Sequence, residues 1–118
     1  MKRLSSSELP YDVAAVDIVA EGPGLIVSEI TLSPGQEVPW HFHNQVSDTF
    51  YGLIGCITVR FDDSGEARLT PGESVTVPAG IPHRVSNESD GVSRFLIVQG
   101  IGEYDFIPTP APGRSFHE

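Results

Sequence analysis

The sequence has few of the features that mark secreted, membrane or nucleic-acid-binding proteins. Its single cysteine, Cys56, excludes an intramolecular disulfide, which favours a cytoplasmic location. No apolar run approaches the roughly 18 residues needed to cross a bilayer, so a membrane-spanning helix is not expected. Only 7 Lys and Arg oppose 16 Asp and Glu, and the net charge of −9 disfavours binding to nucleic acid or anionic membranes. These absences leave a soluble domain with a small-molecule partner as the expectation.

The sequence also lacks any segment with a sustained apolar period of 3.6 residues, which argues against long helices. Instead, 10 prolines and 12 glycines punctuate short apolar segments of strand length. These segments are residues 13–19, 25–32, 38–42, 49–53, 56–61, 67–69, 74–77 and 92–98. Ile57, Val59 and Phe61 alternate with other residues, as expected for a strand with one buried face. Eight or nine such strands predict an all-β antiparallel sandwich or small barrel.

A chain of 118 residues has the length of one domain. We predict a flexible N-terminal arm or edge segment over residues 1–10, a β-barrel over residues 11–107 and a C-terminal tail over residues 108–118. The three prolines of the tail exclude it from the centre of a sheet. We also expect a homodimer, because the strand at residues 13–19 could pair with an exposed sheet edge.

Three of the four histidines occur at two sites that suggest metal ligation. His41 and His43 are two residues apart on a predicted strand, so both side chains point to one face. Asp48 offers a carboxylate five residues later. His83 follows a predicted tight turn at the start of another strand. Imidazole and carboxylate groups in one place suit a divalent transition metal, namely Fe, Mn, Co, Ni, Cu or Zn.

Residues 35–55 and 72–87 resemble the two sequence motifs of the cupins, G(X)5HXH(X)3-4E(X)6G and G(X)5PXG(X)2H(X)3N. The residues that fit the motifs are Gly35, His41, His43, Gly55, Gly72, Pro78, Gly80, His83 and Asn87. The resemblance implies a single cupin domain, an antiparallel double-stranded β-helix or jelly roll, with a divalent metal bound by His41, His43 and His83. The glutamate ligand of the motif is replaced by Asp48. Direct coordination by Asp48, coordination through water and a three-histidine site remain alternatives.

Residues near the predicted ligands suggest how a substrate is held. Phe50 shares the face of Asp48 and is the best candidate for a pocket wall, while Tyr51 and Arg94 are further substrate-binding candidates. A divalent ion with one carboxylate ligand carries a charge of about +1, which attracts an anionic oxygen of a small oxygenated molecule.

The resemblance implies a metal-dependent enzyme, with dioxygenase chemistry favoured because similar small cupins are of the quercetin dioxygenase type. Other cupins that the chain resembles are isomerases, epimerases, lyases and decarboxylases. A binding module without turnover is a further alternative, since one scaffold supports many functions. No basic helix-turn-helix segment accompanies the predicted barrel, which argues against DNA binding.

Overall fold

The computed structural model describes residues 1–62 and 65–112, so residues 113–118 of the predicted tail lie outside the described part. Eleven strands occur in the described part, together with one 3-10 turn at Ser6–Glu8. The strands are β1 Lys2–Arg3, β2 Ala15–Gly22, β3 Leu25–Leu32, β4 Glu37–Phe42, β5 Ser47–Ile54, β6 Ile57–Phe61, β7 Gly65–Leu69, β8 Ser74–Val77, β9 His83–Ser86, β10 Ser93–Gly100 and β11 Ile107–Pro108. The described residues include no helix long and apolar enough to cross a bilayer.

The strands form two antiparallel sheets that face each other in a jelly roll. One sheet has the order β1-β2-β3-β10-β5-β8, and the other has the order β11-β4-β9-β6-β7. The non-consecutive neighbours, such as β3 beside β10 and β4 beside β9, are those of a double-stranded β-helix and not of a simple meander. The prediction of an all-β antiparallel jelly roll with one domain is therefore confirmed.

The core lies between the sheets and follows from alternation along the strands. On β10, Phe95 and Ile97 are buried while Leu96 is only partly so. On β5, Asp48 and Phe50 are buried and Tyr51 is exposed. Apolar side chains from both sheets join one cluster, and burial of this cluster is the main favourable contribution to folding.

The first ten residues lie partly against the barrel. Lys2 and Arg3 pair with β2 at the edge of the six-stranded sheet, which matches the edge-segment alternative. Leu4 and Leu9 pack on the core because the Ser6–Glu8 turn between them brings both side chains to the barrel surface. The domain boundaries at residues 10 and 107 stay predictions.

Gly52 on β5 is required by a close backbone approach. A Cβ at this position would lie 2.5 Å from the Thr70 carbonyl oxygen, which is backbone and cannot rotate away. We expect Gly52→Ala to lower the free energy of unfolding by about 1–3 kcal/mol, the usual cost of overpacking. Urea denaturation would measure it, with Gly91→Ala as the matched control because a Cβ there meets nothing within 4 Å. Equal stability of the two variants would contradict the steric interpretation.

Candidate metal centre

Two neighbouring strands of the five-stranded sheet bring the three histidines together. His41 on β4 is the register partner of His83 on β9, and His43 follows two residues after His41 on the same face. The ring centroid of His41 lies 4.2 Å from that of His83 and 4.8 Å from that of His43. All three rings are buried. The predicted convergence of the three histidines is therefore present in the structure.

Backbone carbonyls fix the orientation of the three imidazoles. In each ring Nδ1 donates a hydrogen bond to a carbonyl oxygen, because a carbonyl can only accept. The acceptors are Pro39 for His41 at 2.7 Å, Asp105 for His43, and Ile81 for His83 at 2.9 Å. A ring that is neutral therefore carries its lone pair on Nε2, the atom that a metal would bind, whereas Nε2 of His43 and of His83 carries a proton when it donates to Asp48.

Asp48 lies at the centre of the cluster and is fully buried. Its Oδ2 is 2.8 Å from His83 Nε2 and 3.0 Å from His43 Nε2. The other carboxylate oxygen accepts a hydrogen bond of 3.0 Å from the Gln99 side-chain amide. Gln99 on β10 is the register partner of Asp48, so this contact is a cross-strand pair. The carboxylate is thus held by β10 and directed at the histidines.

The pKa values of the cluster reflect burial opposed by this carboxylate. Burial, together with the neighbouring His83, lowers the pKa of His41 to about 3, so His41 is neutral. Burial also disfavours charge on His43, but the hydrogen bond and charge of Asp48 outweigh it and raise the pKa of His43. Despite burial, hydrogen bonds from His43 and His83 hold the pKa of Asp48 well below its usual value. The carboxylate is therefore ionised at neutral pH.

The four side chains fit a divalent transition metal. Their ligand atoms all lie within 4.8 Å of one another. Opposite ligands around one ion are separated by about 4 Å, because metal–nitrogen and metal–oxygen bonds are about 2 Å long. The contacts from His43 Nε2 and His83 Nε2 to Asp48 place a proton where the ion would bind, and metal binding releases such protons. The donor set of three imidazoles and one carboxylate suits Fe, Mn, Co, Ni, Cu or Zn.

A cavity of about 180 Å³ adjoins the cluster between the two sheets. His41 and Asp48 form part of its wall, so the cluster faces the cavity. Phe50, a candidate for the pocket wall, also lines the cavity. The N-terminal residues Leu4 and Leu9 lie on the same lining. A small molecule in this space would contact the side of the cluster that includes His41 and Asp48.

Comparison with known protein families identifies the domain that carries this site. The family model for the cupin domain matches residues 28–99, which is more than half of the chain. The chain belongs to the cupin family. The matched segment contains all four residues of the cluster, so the candidate metal-binding positions of this cupin lie within the shared part of the sequence.

Solved structures are similar to this cupin over most of its length. The protein TT1209 from Thermus thermophilus is 30% identical, with 86% of this chain and 98% of that chain covered and a TM-score of 0.71. A Klebsiella pneumoniae protein with a double-stranded β-helix domain is 22% identical, with coverages of 92% and 91% and a TM-score of 0.72. A predicted oxalate decarboxylase from Thermotoga maritima is 17% identical, with coverages of 75% and 80% and a TM-score of 0.68. A search of curated proteins found no match.

Two of the candidate substrate-binding residues lie outside the cavity of this cupin. Tyr51 follows the inward-facing Phe50 on β5, so its side chain is on the outer face, where it is 41% exposed. Arg94 precedes the inward-facing Phe95 on β10 and points toward Thr31 and Glu29 on the outer face. Strand alternation thus separates both residues from the metal centre.

Other residues at the cupin site were not predicted from the sequence. Gln99 lies on the same inward face of β10 as Phe95 and Ile97, so strand alternation is a signal that identifies it. The apolar run that predicts this strand, however, ends at Val98, one residue before Gln99. Tyr104 and Phe106 come from the segment after β10 and contact the histidine rings, Phe106 being stacked on His41 at 4.3 Å. Because this segment is irregular up to Phe106, its sequence has no period that predicts which side chains face the site.

Gln99 provides a test of how the cupin orients its carboxylate. We expect Gln99→Leu to weaken metal binding by about tenfold, because removal of a hydrogen bond to a ligand costs roughly 10–100-fold in affinity. Competition with a chelator indicator dye would measure the effect. Arg94→Leu on the outer face of the same strand is the matched control and should leave the affinity unchanged. A Gln99→Leu protein with unaltered affinity would contradict the positioning role.

Proposed function

We propose that this cupin is a metal-dependent enzyme that acts on a small oxygenated organic molecule. The observation that carries the proposal is the buried cluster of His41, His43, Asp48 and His83 at the wall of a cavity. A metal used only for structure is normally enclosed by its ligands, whereas a cluster beside a cavity leaves positions for a substrate. A bound metal would supply Lewis-acid polarisation of a substrate oxygen and a fixed point for its orientation.

The residues of the chain supply three further contributions to such a reaction. Gln99 holds the carboxylate of Asp48, and the Nδ1 hydrogen bonds hold the histidines. The apolar walls exclude water from the reacting groups, which strengthens electrostatic interactions there. Tyr11 and Tyr104 line the cavity. Burial raises the pKa of Tyr11 to about 12 and also raises that of Tyr104, so both hydroxyls stay protonated and act as hydrogen-bond donors.

Dioxygenase chemistry of the quercetin dioxygenase type is our first choice of reaction. If a six-coordinate ion were bound, three imidazoles and one carboxylate would leave up to two ligand positions for a substrate and dioxygen, and these donors suit redox-active Fe, Mn, Co, Ni or Cu. The support for this choice is the donor set of the cluster together with the resemblance of the two sequence motifs to small cupins of that type.

A non-redox reaction, such as a decarboxylation, lyase or isomerase reaction, is the second candidate. The observation that favours it is the position of Tyr11 and Tyr104 on the cavity lining, because such reactions need a side chain that can hold or donate a proton beside the substrate. One of the structures similar to this chain is a predicted oxalate decarboxylase.

Metal analysis followed by oxygen uptake tests the proposal. Protein purified without added metal is analysed for its elements, and a panel of diketones, flavonols and small phenols is then assayed with and without dioxygen. About one metal per chain with oxygen-dependent substrate loss supports the dioxygenase, and loss without oxygen supports the second candidate. Stoichiometric metal without turnover of any compound favours a binding module, and failure to take up metal overturns the enzyme proposal.

Two expectations about the assembly and location stay predictions. The homodimer would be tested by sedimentation, in which a species of monomer mass alone would contradict it. The cytoplasmic location rests only on cysteine usage.

A further inference from the structure

The cavity beside the metal centre is lined mainly by hydrocarbon. Its wall includes aliphatic and aromatic side chains from both sheets and from the N-terminal segment. The apolar residues on the lining are Leu4, Leu9, Pro10, Val16, Ile18, Ile26, Ile30, Val38, Phe50, Val85, Phe95, Ile97 and Phe106. Most polar lining groups lie on residues that also belong to or adjoin the cluster, such as Asp48 and Gln99. The space is therefore apolar over most of its wall, with polar groups concentrated at the metal centre.

No lysine or arginine occurs on the lining of this cavity among the described residues. The described arginines instead form ion pairs elsewhere in the structure. These pairs are Arg3 with Asp17, Arg60 with Glu88, Arg68 with Glu66, Arg84 with Glu37 and Arg94 with Glu29. A carboxylate or phosphate carried by the body of a substrate would find no cationic partner from the described wall, and burial of an unpaired charge is costly.

The acidic residues on the lining offer no partner to an anion either. Asp48 lies at the metal centre, and Glu8 comes from the N-terminal segment, where it is exposed to solvent and accepts hydrogen bonds from the Ser5 backbone and hydroxyl. An anionic group remote from the metal would therefore meet mainly hydrocarbon.

We propose that the substrate is an uncharged, mainly apolar molecule with about one ring. Its oxygen donors are confined to the end that faces the metal centre. This inference rests on the proposed function, since the oxygen donors are those that the metal would bind. An apolar cavity of roughly 150 Å³ binds benzene in another protein, so a volume of about 180 Å³ accommodates one ring with a small substituent. Dicarboxylates, sugar acids and phosphate esters are disfavoured by charge, and three-ring flavonols by size.

Hydroxamic acids with one metal-binding head and different bodies test the inference. Zinc content is first measured on zinc-loaded protein, and calorimetry then compares acetohydroxamic, benzohydroxamic and 4-carboxybenzohydroxamic acids. We expect benzohydroxamic acid to bind at least tenfold tighter than the methyl compound, because the phenyl body is buried, and the carboxylate to abolish this gain. Full zinc with equal affinity for all three probes would overturn the substrate class alone. A protein that takes up no zinc would instead overturn the proposed function, and the inference with it.

A pair of variants on β3 locates the effect in the cavity. Ile26 is half-buried and lines the cavity, whereas its neighbour Val27 lies on the opposite face of β3. We expect Ile26→Arg to bind 4-carboxybenzohydroxamic acid at least tenfold tighter than the wild type does, while Val27→Arg leaves the affinity for every probe unchanged. If Ile26→Arg does not fold, Ile18→Arg on β2 replaces it, since Ile18 is also half-buried on the lining. An unchanged preference in a folded variant would overturn the assignment of this cavity as the substrate site.

Discussion

Replacing His83 with alanine is expected to lower the affinity for a divalent transition metal by about 100-fold or more. The change removes the buried imidazole of His83, a candidate ligand whose Nε2 lies 2.8 Å from Asp48 Oδ2. Loss of a group that merely orients a ligand costs roughly 10–100-fold, so loss of the ligand itself should cost at least the upper value. Titration with Zn²⁺ in the presence of a competing chelator would measure the change.

His117→Ala is the control for this experiment, since it removes the fourth histidine of the sequence, which belongs to neither of the two cupin motifs. Its affinity should equal that of the unaltered protein. Thermal unfolding of the metal-free proteins separates loss of ligation from loss of fold. Retention of tight binding by folded His83→Ala would contradict the assignment. A parallel Asp48→Ala variant decides whether the carboxylate is a ligand, because full occupancy would leave a three-histidine site.

Asn87→Ala is expected to lower the free energy of unfolding by about 2–4 kcal/mol. Asn87 is fully buried, and its amide nitrogen donates to the carbonyls of Leu32 at 2.9 Å and Gly91 at 2.8 Å. Its amide oxygen accepts hydrogen bonds from the Ser89 backbone and hydroxyl. Alanine would leave buried polar groups without these partners, at about 1–3 kcal/mol for each group that stays unpaired. Urea denaturation at equilibrium would measure the loss.

Two further variants separate the contributions at this position. Ser89→Ala removes only one of the hydrogen bonds to Asn87, and we expect it to cost less than about 1 kcal/mol. Asn87→Asp keeps the oxygen acceptor and loses the two donors, so its stability should stay well below that of the unaltered protein. A stability for Asn87→Ala within about 1 kcal/mol of the unaltered protein would show that the surrounding carbonyls find other partners.

Short-range spacing in the sequence was sufficient to predict the strands and the shared face of His41 and His43, but not their meeting with His83. Alternation assigned the buried face of β5, and the two-residue spacing of His41 and His43 put both side chains on one face. The meeting of these residues with His83 required β4 to pair with β9, which is a long-range contact. Only the resemblance to cupin motifs supplied that pairing.

The side chains around the cavity were harder to predict than the cluster, because charge and aromaticity do not fix the face of a strand. Tyr51 lies next to Phe50 in sequence, and that single step moves its side chain to the opposite side of the sheet. Arg94 lies on β10, where no ligand in the sequence indicated which face was inward. Tyr104 and Phe106 reach the site from an irregular segment, whose position depends on tertiary packing.

The wall that residues 4–11 give to the cavity has an evolutionary consequence. Leu4, Glu8, Leu9, Pro10 and Tyr11 line the cavity but belong to neither the metal cluster nor the two cupin motifs. Insertions or substitutions in this segment would reshape the cavity and leave the ligands and the paired strands that hold them in place. Selection acting on this short stretch would therefore change which small molecule fits the cavity, while the histidine and aspartate cluster is inherited unchanged.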